Sequence, residues 1–441
     1  MKRIIILCLS LALLFACVPT PEEEYVVNKG DNVTGQEIQT EQKDDAQQLP
    51  GESDGKPLSV PAHASLKADP TEHVSVVVDA DVAFDPNAAH PILEAEALDF
   101  TKDSVFSALL SLVGPGAKLY EKWEDSKAEA GEWLRAAMQY EGQLGELVDQ
   151  DISIKVLQDQ FNSAPETPEK IPASKPECGK NYYLEHPDGT VSLLVVNFEP
   201  NSIMFDRDIR DNCFTKDFIG PNDPIVLSDP EISEADARAK AEAFMKALGV
   251  ECDCLVETQC GFSIRYYELS EMLWRFTFVR SVDGTPSLNR PNSFMTDPNT
   301  PSSVGAPWSI ESAWVYVGKD GVVCANFQGL SKITGITVKN AQLCEFDKVL
   351  DMAVRQIGYL HDGAADKPHH TYTVTNINLC YGMQAKKDNL SVGVYQPMWE
   401  FTYVDAEDPD AQPQKLYISA LTGGHVEPRL TVQTLMRNAD Q

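Results

Sequence analysis

Apolar residues recur along this chain with two periods, and the places where the period changes mark out its elements. Alternation of Val74, Val76 and Val78 with polar neighbours predicts a strand near 73–84, and the run 190–198 reads the same way. A helical stripe of Val105, Leu109 and Leu112 ends at Gly114 and Pro115, and a second helix over 125–148 places Trp133, Ala137, Tyr140, Leu144 and Leu147 on one face. Ser233 and Asp236 form a capping pair for a helix whose stripe is Ala237, Ala241, Phe244 and Leu248, closed by Gly249. Further on, Phe346, Leu350, Ala353 and Ile357 make another stripe, with a stop at Gly358.

Two hexamers stand out against this pattern. Trp274 to Val279 reads WRFTFV and Trp399 to Val404 reads WEFTYV, with aromatic residues on one parity. Each follows a helix and a strand, and each precedes a Tyr-containing hairpin. The chain therefore predicts an α+β fold with tandem helix-on-antiparallel-sheet modules at 178–335 and 336–430. A smaller α/β region at 73–165 and a Pro- and Lys-rich boundary precede them, and a tail occupies 431–441. Three aromatics on one strand face bury roughly 150–250 Å² each, so core packing is the expected role of Trp274 and Trp399. A carbohydrate platform is the sharper alternative.

The N-terminus changes the picture from fold to place. Lys2 and Arg3 precede an apolar run of thirteen residues, Ile4 to Ala16, and then Cys17. A helix needs about 20 apolar residues to cross a bilayer, so 1–16 reads as a signal peptide. Leu14 to Cys17 resembles a bacterial lipobox, which implies diacylglycerol on Cys17; two acyl chains suffice for stable anchoring. From there to residue 72 the chain is polar, acidic and without apolar periodicity, which predicts a disordered tether. The expected location is the outer face of the cell membrane, with the N-terminal lipid as the only membrane contact. A net charge of −31 argues against nucleic-acid binding.

Chemistry is mostly excluded by what the motifs lack. There is no GxSxG elbow, HExxH helix, Walker loop or GxGxxG turn, and no cofactor is expected. Cys252, Cys254 and Cys260, with His369 and His370, lack the paired spacing of a zinc site, so no metal is assigned. The stretch 79–85 has the aspartates of a calcium loop without its glycine and terminal Glu, and reads as a strand with acidic outward residues. Once Cys8 and Cys17 are set aside, eight of the ten cysteines remain. Cys178 and Cys213 are the pair read as a disulfide, with the rest read as buried thiols. The excursion from Ser281 to Ser312 is long for a structureless loop, and Arg290, Phe294, Met295 and Trp308 are its candidate partner-binding residues.

The lipobox, the PTPEEEYVVNKGD after it, the VVVDADV strand and the passage from GLSKI to AQLCEFDKVLDMAV resemble a family of bacterial cell-surface lipoproteins defined by a domain of unknown function. More distantly, the helix followed by strands ending in W.F.(F/Y)V is similar to extracytoplasmic YycI/YycH-type regulators of a sensor kinase and to PepSY-like modules. That resemblance implies a non-enzymatic module that binds an envelope protein or sensor partner. The alternative is a carbohydrate-active enzyme or solute-binding lipoprotein acting on wall or nutrient glycans, which would require converging carboxylates.

Overall fold

A computed structural model describes residue 53 and residues 58–140, 154–197, 201–216, 227–265, 268–288, 310–362, 369–386, 389–408 and 411–426. In chain order the elements are β1 (His63–Ala68), β2 (Val74–Ala83), β3 (Ile92–Ala97), α1 (Asp103–Val113), β4 (Lys118–Trp123), α2 (Lys127–Tyr140) and α3 (Ile154–Ser163). Next come β5 (Lys170–Pro172), β6 (Lys180–Glu185), β7 (Val191–Val196), β8 (Ile203–Asp206), β9 (Asp211–Thr215), α4 (Glu234–Leu248), β10 (Cys254–Arg265) and β11 (Glu268–Val279). The chain continues through β12 (Ser281–Val282), β13 (Thr285–Pro286), β14 (Ser312–Gly318), β15 (Gly321–Gln328) and β16 (Ser331–Val338). It closes with α5 (Phe346–His361), β17 (His370–Lys386), β18 (Asn389–Asp405) and β19 (Gln414–Ser419). The fold is α+β, as the periodicity predicts, with strands outweighing helices. Among the described residues no helix is long and apolar enough to cross a membrane.

The chain groups into two compact units. The first combines the described residues up to Pro91 with those of Val338–Cys380 and of the stretch from Pro397 to Val426; the second combines those of Ile92–Thr337 with those of Tyr381–Gln396.

In the first unit β1 pairs antiparallel with β2, β2 runs parallel to β17, and β18 pairs antiparallel with β19. Helix α5 covers this sheet. Its Val349, Ala353 and Ile357 meet Val74, Val76, Val78, Trp399, Phe401 and Ile418 in one core. The predicted helix stop at Gly358 is displaced: α5 runs on to His361, and a Cβ at Gly358 would come within 2.5 Å of Pro70. The glycine is there for close approach, not for termination. Order also begins earlier than composition predicts. Leu58 and Val60 pack against the core, and β1 lies inside the segment read as tether, because its backbone ladder on β2 needs few apolar side chains. The strand region 73–84 itself belongs with the second helix-on-sheet module, since its valines complete the face under α5. On the opposite face Asp79 and Asp81 accept hydrogen bonds from His63, at 2.9 and 3.0 Å, as outward acidic residues of a strand.

The second unit holds a ten-stranded antiparallel sheet in the order β5-β4-β6-β7-β8-β15-β14-β11-β10-β9. Its long helix α4 starts at Ser233, whose hydroxyl accepts from the Asp236 amide, and ends at Gly249 in the left-handed conformation. Both caps match the sequence reading. Ala237, Ala241 and Met245 face Phe276, Phe278, Val315, Val317 and Phe327, while Phe244 sits between the Phe205 and Phe327 rings at 6.0 and 6.3 Å. Helix α1 is turned by about one residue from the predicted stripe and buries Phe106, Leu109 and Val113. The Phe106 ring meets Tyr182 at 5.1 Å, which fixes that rotation.

Candidate functional site in the polar face of the ten-stranded sheet

Strand alternation gives the large sheet two unlike faces. On the hairpin β14–β15, Ala313, Val315, Val317, Ala325 and Phe327 enter the core under α4. The intervening residues Trp314, Tyr316, Cys324 and Asn326 stand on the other side. Registry then lines up chemistry across strands. One row runs Asp206, Cys324, Tyr316, Arg275 and Gln259; the next runs Met204, Asn326, Trp314, Thr277 and Glu257.

Arg275 is the centre of this face. Its Nη1 donates to Gln259 Oε1 at 2.8 Å, its Nη2 lies 4.0 Å from Glu257 Oε2, and its guanidinium sits 5.0 Å from the centre of the Trp314 ring. Thr277 Oγ1 donates to the same Glu257 carboxylate at 3.2 Å. With 13% of its side chain exposed, Arg275 leaves its Nε without an acceptor. Asn326 Oδ1 and Ser263 Oγ on this face likewise have no hydrogen-bond partner among the described residues. A buried polar atom left unpaired costs about 1–3 kcal/mol, so this face carries hydrogen-bonding capacity that the described residues do not meet. Burial pushes the Tyr316 hydroxyl up and the Asp206 carboxyl up to about 6, the latter against a hydrogen bond from Cys324.

The face is curved. Strands β15 and β9 are separated by β14, β11 and β10, which on a flat sheet would hold them roughly 19 Å apart. Yet β8, the neighbour of β15, is joined to β9 by residues 207–210 alone, so the sheet curls and brings Cys213 of β9 toward Cys324 of β15. Gly261 makes the closure feasible: a Cβ there would press on Phe214 O at 2.8 Å and on the Tyr316 ring at 3.2 Å.

The excursion after β11 begins and ends at a buried charge lock. Arg280 donates from Nε to Glu311 Oε2 at 2.6 Å and from Nη2 to Glu311 Oε1 at 3.0 Å, a bidentate pair with both side chains under 5% exposed. Tyr395 donates to Glu311 Oε2 at 2.6 Å, the Ser331 amide to Oε1 at 2.8 Å, and Arg280 Nη1 to Glu251 at 2.6 Å. A short hairpin, β12–β13, follows Arg280 and turns at Asp283 and Gly284, both with positive φ. Arg290, Phe294, Met295 and Trp308, the loop residues singled out in the sequence, lie outside the described residues, as does Cys17.

The cysteines are arranged differently from the sequence reading. Cys178 is an exposed thiol before β6, Cys213 is a half-buried thiol on β9, and neither is joined to the other. The curl of the sheet instead turns Cys213 toward Cys324, on which it acts as a side-chain partner. Cys252 lies in the core beside α4, where burial pushes its thiol far up, so it does not make a ready metal ligand. His370, Asp405 and Glu407 bring one ligand atom each within 4.8 Å of one another. There His370 Nδ1 bonds Asp405 Oδ2 at 2.9 Å, and the Thr371 and Glu407 amides donate to Glu407 and Asp405.

Sequence reasoning missed the Arg275–Trp314–Tyr316 face. The alternation at 313–317 carried its signal, since small and branched residues on one parity leave Trp314 and Tyr316 on the other.

No family model and no curated protein matches the chain. Among solved structures, the chain is similar to a crystal structure of an uncharacterized protein from Eubacterium rectale, at 12% identity over 83% of this chain and 94% of that one, with a TM-score of 0.44. It is also similar to the YpeB C-terminal domain of Bacillus megaterium, at 12% identity over 69% of this chain and 97% of that one, TM-score 0.21. A third likeness is to YycH from Bacillus subtilis, at 10% identity over 74% of this chain and 95% of that one, TM-score 0.22. These likenesses are distant.

Proposed function

We propose that the protein is a non-enzymatic binding module, held at the outer face of the cell membrane by lipid on Cys17, that recognises a protein partner in the envelope through the polar face of its ten-stranded sheet. The observation that carries this reading is the partly exposed cluster of Arg275, Trp314 and Tyr316 on one face of the sheet, with the guanidinium 5.0 Å from the Trp314 ring centre. Tyr, Trp and Arg are the residue types that dominate protein-interface energetics. A glycan ligand is the second reading, favoured by the planar amides of Asn326 and Gln259 beside the Trp314 ring.

A photo-crosslinking residue at Asn326, with a control at the exposed Ile336, tests this on intact cells. One protein species captured from position 326, absent from 336 and lost on Arg275→Ala, is the expected result. Capture of a glycan-bearing species, or equal capture at both positions, overturns the protein reading. Metabolic labelling with a palmitate analogue tests the anchor, and retention of label in Cys17→Ala would refute it.

A further inference from the structure

The curl of the large sheet places two thiols where linear spacing gives no reason to expect them. Cys213 stands on β9 opposite Ser263, and Cys324 stands on β15 between Tyr316 and Asp206. The residues are 111 positions apart in sequence and have three strands between them in the sheet, yet the four-residue link from β8 to β9 brings β9 round to the β15 side, where Cys213 acts on Cys324 as a side-chain partner. They differ in access. Cys213 is half-buried, whereas Cys324 is 8% exposed and hydrogen-bonds the Asp206 carboxyl. Elsewhere among the described residues the cysteines sit in other surroundings: Cys252 in the core beside α4, Cys380 donating to Met398 O, and Cys344 beside Gly423.

We infer that Cys213, Cys324 and Asp206 form a redox site in which the two thiols close to a disulfide by exchange with an external disulfide, small or protein-borne. In the first step the Cys213 thiolate attacks the donor disulfide; the donor S–S bond breaks, a mixed disulfide forms on Cys213, and one donor thiolate leaves and takes up a proton. In the second step Cys324 gives its proton to the Asp206 carboxylate and attacks Cys213 Sγ. The mixed bond breaks, the Cys213–Cys324 bond forms, and the second donor sulfur leaves as a thiol, taking its proton from Asp206 or water. Two protein thiols are oxidised and one donor disulfide is reduced to two thiols. The roles follow from access and registry: Cys213 is the more open of the two and meets the donor, and Cys324 stands opposite the Asp206 carboxylate. Burial and the neighbouring Cys213 and Asp206 keep the Cys324 thiol protonated until that step, so it does not react with solvent oxidants on its own.

Closure would tie β9 to β15 across the concave face and pin the strand that carries Cys324 beside Tyr316. The inference is independent of the ligand reading above, since its test uses no ligand.

The experiment treats the full-length reduced protein with oxidised glutathione, blocks remaining thiols with an alkylating agent and maps the peptides by mass spectrometry. A linked peptide pair carrying Cys213 and Cys324 is expected. In Cys324→Ser the glutathione adduct should accumulate on Cys213, and in Cys213→Ser Cys324 should stay free of glutathione. Asp206→Asn should slow the second step severalfold at neutral pH, with the mixed disulfide building up. If the wild-type chain links Cys213 to Cys178, or leaves both Cys213 and Cys324 alkylated after prolonged oxidation, the site does not exist. If the pair closes equally fast in Asp206→Asn, the carboxylate has no part in it.

Discussion

The two hexamers use one strand pattern with two outcomes. Phe276, Phe278, Phe401 and Tyr403 are buried alike under their helices, α4 in one unit and α5 in the other. The second position differs. Arg275 keeps an unpaired Nε next to Trp314. Glu400 accepts from both Lys415 Nζ and Tyr417 Oη at 3.0 Å. The residue just after each hexamer differs as well: Arg280 is locked in a buried bidentate pair, and Asp405 lies on a half-buried edge beside His370. The repeated part of the sequence therefore builds the core, and the polar chemistry lies at the positions that the copies do not share.

The strongest test of that division compares the two hexamer cores with the two flanking charges. Phe276→Ala and Phe401→Ala should each cost about 3–5 kcal/mol, measured by denaturant unfolding. Glu311→Ala should cost a similar ~3–5 kcal/mol, because the buried Arg280 loses its bidentate partner and keeps only the half-exposed Glu251 as counter-charge. Asp405→Ala should cost about 1 kcal/mol or less, since that pair is more open to solvent. Equal losses at Glu311 and Asp405 would erase the distinction between the copies.

Next in size is the second position. Glu400→Ala should destabilise by about 1–3 kcal/mol, because the buried Tyr417 hydroxyl loses an acceptor. Arg275→Ala should cost less stability than this and abolish capture of a partner from position 326. The indoles give a smaller contrast. Trp274 Nε1 donates to Ile232 O at 2.9 Å, whereas Trp399 Nε1 has no acceptor among the described residues. Trp274→Phe should therefore lose about 1 kcal/mol of hydrogen bonding that Trp399→Phe does not lose.

Acid should separate the two units in opposite directions. Burial lowers His425 in the first unit to about 4, so its folded state binds protons less readily than the unfolded chain. That contribution is present above the ordinary histidine value of about 6.5 and is lost as pH falls toward 4. Asp206 in the second unit is raised to about 6, so folding there is favoured as pH falls from 6 toward 4 and disfavoured as pH rises through 6. Hydrogen exchange of β19 and β8 amides at pH 4.5 and pH 7 should show the opposite slopes, and Asp206→Asn should flatten the second.

Local chemistry was readable in the sequence wherever the interaction was local. The Ser233 cap, the Gly249 terminus and the alternation of the 313–327 hairpin all rest on neighbours within a few residues, and each stands as the pattern predicts. Arg280 and Glu311 meet across 31 positions, and Cys213 and Cys324 across more than a hundred; neither pairing leaves a spacing signature. The helix α5 could be read, but the purpose of Gly358 could not, because Pro70 comes from a distant part of the chain. The Arg275 face was half legible. Alternation exposes Trp314 and Tyr316, while only the registry of β10, β11, β14, β15 and β8 assembles them into rows.

The parallel ladder of β2 on β17 has a consequence for how the chain is made. Val74 and His370 are partners, so the first strand must wait for nearly three hundred further residues before its neighbour exists. Closing so long a loop is slow, and the delay leaves a valine-rich strand without its cover. A product that ends before residue 370 would leave the β17 edge of that strand open to pairing with other chains. The clasp between early and late sequence thus ties the protection of that strand edge to residues made nearly three hundred positions later.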